Sequence, residues 1–282
     1  MNAAARPELS IVIPAYNEAR RLPESFARLQ AYLLKQPFLY EVIVVDDGSS
    51  DTTSAVVKAW MGRWSRLRLL QEAHRGKGAA VRAGVLAARG AWIALADADF
   101  SMPVEEFDLF TEDALGPYDI AIASREAPGA RRYGEPGYRH LLGRVFNRVT
   151  QALAVPGIED TQCGFKRMRR DVAQDLCLHQ TLPGWGFDVE LLYIARLRGY
   201  QLREVPISWY YMKGSRIHPI RDSVAMFRDV LTIRYNALRR RYMRRIIPLP
   251  TISEVAPLDP ADPDGELSGI TINALGAASM WD

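Results

Sequence analysis

Apolar positions along the first hundred residues alternate between two periods. Leu9-Ser10-Ile11-Val12-Ile13-Pro14 is a short, nearly unbroken apolar run that stops at a proline. Such a run predicts a strand buried on both faces. Residues 17–35 follow with Leu22, Phe26, Leu29 and Leu33 on one helical face. Tyr40–Asp46 is a second apolar run. Asp47-Gly48-Ser49-Ser50-Asp51 then reads as a turn, with Ser50 or Asp51 available to cap a helix over 52–64. Leu67–Gln71 predicts a third strand. Gly76-Lys77-Gly78 opens a helix over 78–89, and Ala91–Ala96 is a fourth strand ending at Asp97. Strands alternating with helices in this way predict an α/β, doubly wound, mostly parallel sheet. Ligands of such sheets sit beyond the carboxyl ends of the strands. Tyr16-Asn17-Glu18, Asp46-Asp47 and Asp97-Asp99 therefore converge on one edge.

The second half is less regular. The pattern predicts a helix over 104–115, a strand over Tyr118–Ser124 and a Gly-, Pro- and Arg-rich loop over 126–137. Residues 138–154 form an amphipathic helix carrying Leu142, Val145, Phe146, Val149 and Leu153. Helices over 170–178 and 187–199 follow, then a strand over Gln201–Tyr211. Residues 219–246 read as a long basic helix or helix pair, and the Pro-, Asp- and Gly-rich stretch after Pro248 as disordered. The expected organisation is an α/β domain over 8–218, a basic amphipathic segment over 219–247 and an acidic tail over 248–282. No internal repeat is found.

Composition narrows the class. At 282 residues with 48% hydrophobic and 24% charged residues, the chain builds a core without covalent staples. Two cysteines, Cys163 and Cys177, make no disulfide framework and no zinc pattern with the four histidines. A reducing, cytoplasmic setting is expected. All 36 Lys and Arg lie in residues 1–246, beside 27 of the 33 acids, so that part carries +9. A basic body suits an anionic substrate or an anionic membrane surface. Nucleic-acid motifs are missing, which removes that class of partner. The first residues contain no apolar signal region, and no apolar run reaches the roughly 20 residues of a bilayer span. Membrane contact is therefore expected to be peripheral, through basic amphipathic residues 223–246.

The acidic clusters carry the chemistry. Asp97-Ala98-Asp99 at a strand end gathers two carboxylates, which suit a hard cation such as Mg²⁺ or Mn²⁺ and leave positions for phosphate. Asp46 and Asp47 can accept hydrogen bonds from a ribose hydroxyl or a base N–H. Lys77 at a helix N-terminus offers charge to a phosphate, without the spacing of a P-loop. Together these point to a nucleotide-sugar site.

Ile13–Glu18, Val44–Asp51, Gly76–Gly78 and Asp97–Asp99, in this order, resemble family 2 glycosyltransferases of the GT-A fold. The resemblance spans roughly residues 8–245. It implies an inverting glycosyltransferase, with nucleotide contacts at Pro14, Tyr16, Glu18, Asp47 and Lys77. It implies a metal at Asp97-Ala98-Asp99, chiefly through the second acid. Asp160–Lys166, Trp185–Glu190 and Lys213–Arg216 are similar to the dolichyl-phosphate β-glucosyltransferase subgroup and its prokaryotic relatives. That implies glucose transfer from UDP-glucose to a polyprenyl phosphate. Alternatives are another donor (GDP-mannose or UDP-GlcNAc), a sugar hydroxyl acceptor, or a non-catalytic scaffold. Asp188 is the expected catalytic or orienting carboxylate, with Trp185 beside it. Gln162 reaches the sugar or diphosphate by resemblance. Arg125, Arg131, Arg139, Lys213 and Arg216 are the candidate partners of the acceptor phosphate, Arg125 best placed because it follows a strand. The chain departs from eukaryotic members of the subgroup, which usually start with an N-terminal membrane helix not expected here, and carries Phe100 where glycine is usual and Arg216 where lysine is common.

Overall fold

The structure is a computed structural model describing residues 6–212 and 219–243, without the side chains of 138–142, 145, 146 and 219–224. The apolar runs form β1 (Leu9–Ala15), β2 (Tyr40–Asp47), β3 (Leu67–Glu72) and β4 (Trp92–Leu95). Between them lie α1 (Leu22–Leu33), α2 (Thr53–Met61) and α3 (Lys77–Ala87). The sheet runs β3-β2-β1-β4, all parallel, with Ile11 beside Val42 on one side and Ala94 on the other. Alternate residues of β1 feed two cores. Ile11 and Ile13 pack with α1 and α2, where Phe26, Leu29 and Trp60 are buried. Val12 packs with Val81 and Val85 of α3. The strand order turns back between β1 and β4, where doubly wound sheets bind ligands.

Asp51, not Ser50, serves the start of α2, since its Oδ1 accepts the Thr53 N–H at 2.9 Å. The expected helix over 104–115 is a 3₁₀ turn, Val104–Phe110, followed by the single turn α4 (Glu112–Leu115). Beyond it come β5 (Ile120–Ser124), β6 (Arg131–Tyr133), α5 (Gly137–Leu153), β7 (Lys166–Arg169), α6 (Arg170–His179) and α7 (Phe187–Leu197). Then follow β8 (Leu202–Pro206), β9 (Ser208–Tyr210) and α8 (Pro219–Leu238), with a 3₁₀ turn at Arg241–Met243.

Three differences from the sequence reading matter. The expected loop over 126–137 contains β6. The expected strand over 201–211 is two strands. β8 pairs with β5, then the chain crosses at Ile207 and β9 pairs with β6 in a two-stranded parallel sheet. Pro206 lacks an N–H and ends the first ladder. Third, β7 runs antiparallel between β4 and β5, completing the order β3-β2-β1-β4-β7-β5-β8. Its Lys166 and Met168 are buried, while Arg169 is exposed.

α8 packs through Val230, Ile233 and Asn236 and leaves Phe227, Leu231, Tyr235 and Leu238 exposed. Arg240 takes a left-handed backbone (φ 55°) and separates α8 from the terminal turn. Among the described residues no helix is long and apolar enough to cross a membrane. The expected tail over 248–282, with Lys213 and Arg216, lies outside the described residues.

Candidate active site

A cavity of about 860 Å³ opens at the carboxyl edge of the sheet. The loops after β1 and β2 make one wall. Asn17, at φ 52°, adopts the left-handed turn that asparagine tolerates. Its Oδ1 accepts the Ser50 N–H at 2.7 Å and its own N–H donates to Ser49 Oγ at 2.8 Å. This latch presents Pro14, Tyr16 and Glu18 to the cavity. Asp46 and Asp47 part company here because neighbouring strand residues point to opposite faces. Asp47 lines the cavity, and its oxygens accept the Arg75 and Gly76 N–H groups, each at 2.9 Å. Asp46 accepts the Ser49 N–H at 2.8 Å and the Ser54 hydroxyl, and is not on the cavity wall. The expected nucleotide contact at Asp46 thus becomes a brace for the turn and α2.

Gly76, at φ 109°, caps α3, and a Cβ there would meet the Pro183 carbonyl oxygen at 2.7 Å. Lys77, the first residue of α3, reaches Asp97 Oδ1 at 2.6 Å. Burial disfavours its ammonium. Asp97 above all, then Asp188 and Asp99, outweigh burial and hold the group above its ordinary value. Burial likewise works to raise the Asp97 carboxyl, but Lys77, aided by Lys166 and Arg125, keeps it below the usual range. Asp99 is raised, by burial first and by the negative charge of Asp97 second. Gly164 faces this pair so closely that any Cβ would overlap Asp97 Oδ2. Phe100 follows with a left-handed backbone (φ 44°), a conformation that glycine adopts freely. Its ring is buried near Phe107, which offsets the strain.

Arg125 extends from the end of β5. Asp160 holds it in a bidentate pair, Nε to Oδ2 at 2.7 Å and Nη2 to Oδ1 at 2.9 Å. Asp160 Oδ2 also accepts the Arg125 backbone N–H at 2.9 Å. Burial opposes the Asp160 charge, yet Arg125 outweighs it and brings the carboxyl down to about 2. Trp209 lies under the guanidinium at 5.4 Å. Gln162 and Trp185 line the same cavity. Asp188, in the first turn of α7, borders it as well and is buried against Lys166 Nζ, which also donates to the Cys163 carbonyl at 2.7 Å. Burial pushes the Asp188 carboxyl up, with Lys166 and Lys77 opposing.

The expected phosphate partners divide. Arg125 is in the cavity. Arg131 is exposed on β6 and off the wall. Its neighbour Arg132 occupies that place, held by Glu126 and Glu135 and facing Trp209 across the β6–β9 pair. The two-residue period of a strand turns Arg131 outward and Arg132 inward. Arg139 falls on α5, its side chain outside the described residues.

Several cavity residues escaped the sequence reading. His74 stacks on Tyr16 at 4.1 Å and reaches Asp47 Oδ2 at 2.8 Å. Asp160, on the cavity wall, and Lys166, behind it against Asp188, stood in a recognised block without a role of their own. Among the described residues, eight carboxylates and four Arg or Lys side chains line the cavity. That excess of negative charge, with Asp97 and Asp99 side by side, suits a divalent cation. The same residues without one would repel a diphosphate.

The family model for glycosyl transferase family 2 matches residues 10–177. The chain belongs to glycosyltransferase family 2. This glycosyltransferase is 33% identical over 248 residues to the dolichyl-phosphate beta-glucosyltransferase of Dictyostelium discoideum, covering 82% of this chain and 75% of that one. It is 36% identical over 250 residues to the Homo sapiens dolichyl-phosphate beta-glucosyltransferase, covering 82% and 76%. Among solved structures, glucosyl-3-phosphoglycerate synthase of Mycobacterium tuberculosis with Mn²⁺, UDP and phosphoglyceric acid is similar at a TM-score of 0.59 and 20% identity. That match covers 85% of this chain and 80% of that chain, and it shows that the glycosyltransferase has the GT-A fold.

Proposed function

We propose that this glycosyltransferase moves glucose, with inversion, from UDP-glucose to the phosphate of a dolichyl-type polyprenol. One observation carries the reading: Lys77, Asp97 and Asp99 stand in the same cavity as an Arg125 fixed by Asp160. The first group suits a departing diphosphate, the second an incoming phosphate. The related dolichyl-phosphate beta-glucosyltransferases supply the sugar and the lipid of the reading.

Asp97 and Asp99 are the residues that would hold Mg²⁺ or Mn²⁺, which when bound adds the positive charge a leaving diphosphate requires. Lys77 contributes a further cation at the same end. The acceptor is a phosphate monoester with a second pKa of about 6, so it is largely dianionic at neutral pH. Its oxygen attacks the anomeric carbon, that carbon's bond to the diphosphate oxygen breaks, and the electron pair leaves with the diphosphate. No proton need be removed from such an acceptor. Positioning and charge neutralisation remain as the tasks of Arg125, Gln162 and Asp188. A raised, buried Asp188 supports one second reading, in which it takes the proton of a sugar hydroxyl acceptor.

The lipid acceptor agrees with α8. Phe227, Leu231, Tyr235 and Leu238 are exposed together with Arg228, Arg234 and Arg239, and the cavity residue Met226 directly precedes Phe227. Apolar side chains ringed by guanidinium groups suit an anionic bilayer. On this reading the protein works as a peripheral enzyme at the cytoplasmic membrane face. Purified protein given Mg²⁺ or Mn²⁺, a panel of labelled nucleotide-sugars and a short-chain polyprenyl phosphate should carry glucose label into the organic phase. Donor consumption without a lipid product would refute the acceptor. Binding to anionic liposomes should be released by salt, whereas equal binding to neutral vesicles would refute the basic surface.

A further inference from the structure

Loop 181–186 carries Gly184 and Trp185 into the cavity and leads into α7, where Asp188 sits. It rests on the first turn of α3. The Pro183 carbonyl accepts the Ala79 N–H at 3.0 Å, and Gln180 Nε2 bridges the Gly78 and Leu182 carbonyls at 2.9 and 2.8 Å. Its position is set from behind by the C-terminal elements. Glu190, fully buried on α7, accepts the Thr181 and Leu182 N–H groups at 3.0 and 2.8 Å and the Thr181 hydroxyl at 2.5 Å. A fourth hydrogen bond comes from Tyr242 OH at 2.7 Å. Tyr242 is fully buried in the turn beyond α8. Burial, then the Glu190 charge, push its hydroxyl well above its ordinary value, so it stays a donor. Asn236 of α8 adds Nδ2 to Thr181 Oγ1 at 3.0 Å. At the other end of the loop, the Asp229 side chain of α8 packs closely against Gly186. A Cβ on Gly186 would lie 2.6 Å from Asp229 Cβ and 2.8 Å from its Cγ.

We propose that α8 and its terminal turn are a positioning element for the transfer step. They clamp the cavity loop at both ends, Tyr242 through Glu190 and Asp229 through its close packing on Gly186. The loop sits between the Lys77 end of the cavity and Asp188. A loose clamp therefore misplaces Trp185 and the first turn of α7 while leaving the sheet and the Asp97–Asp99 pair intact. Misplacement by about 1 Å costs on the order of 100-fold in rate. The inference rests on the proposed glycosyl transfer for its rate readout only.

The test uses the full chain with Tyr242→Phe, Asp229→Ala, Asp229→Asn and Gly186→Ala. Phenylalanine keeps the ring and removes one donor. Asparagine keeps the side-chain shape that packs on Gly186, and alanine removes it. Gly186→Ala attacks the same clamp from the loop side. Expected are a fall in kcat of about tenfold or more in Tyr242→Phe, Asp229→Ala and Gly186→Ala, UDP affinity within about twofold, and recovery in Asp229→Asn. Amide hydrogen exchange over residues 181–186 should quicken at least tenfold in the same three variants and return in Asp229→Asn. Unchanged kcat and exchange in folded Tyr242→Phe and Asp229→Ala would overturn the proposal, as would equal loss in Asp229→Asn and Asp229→Ala. If the wild-type chain makes no lipid product, the exchange measurement still decides the clamp, and the failure then belongs to the proposed acceptor.

Discussion

Gly164→Ala tests whether Asp97 stands where the cavity requires it. Gly164 has no positive φ, so alanine brings no backbone strain there. The effect is steric. The added Cβ would overlap Asp97 Oδ2 and lie 2.5 Å from Cγ and 2.8 Å from Oδ1. Carbon atoms in contact settle at about 3.5–4.0 Å, so the Asp97 carboxylate has to retreat by about 1 Å. Such a retreat strains the Lys77–Asp97 contact of 2.6 Å, because the Lys77 backbone is held in the first turn of α3 and its ammonium can follow only by changing rotamer. A displacement of about 1 Å at a reacting centre costs on the order of 100-fold, or about 2.7 kcal/mol of transition-state stabilisation. Overpacking adds a stability loss of about 1–3 kcal/mol. The assay is kcat/KM for the nucleotide-sugar at a temperature well below melting, with urea denaturation alongside. Gly62→Ala, whose Cβ would meet only an ordinary 3.5 Å contact at the end of α2, serves as the control. Activity of Gly164→Ala within threefold of the wild type would refute the close approach, and with it the assignment of Asp97 to the diphosphate end.

Other expectations follow from the same geometry. Asp99→Asn should abolish turnover and leave the melting temperature nearly unchanged; retained activity would remove Asp99 from the metal-holding set. Asp160 binds its proton less readily folded than unfolded, so its stabilising effect is full above about pH 4 and is lost as pH falls through about 2. A drop from 3.8 to about 2 corresponds to about 2 kcal/mol, so the gap in urea stability between wild type and Asp160→Asn should shrink by about that much between pH 7 and pH 2. Lys166→Met leaves Asp188 buried without its partner and should cost about 3 kcal/mol in denaturation; a loss under 1 kcal/mol would show that the pair is not holding Asp188.

The half of the sheet around β1 to β4 was legible because its strands are long apolar runs separated by strong turn signals. A buried parallel strand needs little else to be read. β7 was missed for the opposite reason. Lys-Arg-Met-Arg shows two buried positions in four, and one of them is a lysine whose burial depends on Asp188, twenty-two residues ahead in the chain. No local pattern announces that. Asp46 and Asp47 were read as one cluster, and Arg131 was chosen over Arg132, because residue type was weighed without strand phase. In both places the two-residue alternation decides which neighbour faces the cavity. The Tyr16–His74 stack had no sequence signal, since the two rings come from loops after different strands. Phe100, read as a departure from the usual glycine, became intelligible once its buried ring was seen beside its left-handed backbone.

The antiparallel insertion of β7 has a consequence for how the chain becomes an enzyme. β4 and β5 touch only through it. Until residue 169 has left the ribosome, the four N-terminal strands can assemble, but β4 ends in an open row of backbone donors and acceptors. Lys77 and Asp97 belong to that early half. Arg125 and Asp188 reach the cavity only after β7 zips the halves together. Partial chains therefore hold the proposed diphosphate end before the proposed acceptor end exists, with a sticky edge between them. A chain halted before Lys166 should pair through that edge with another chain, whereas one extended past Arg169 has covered it.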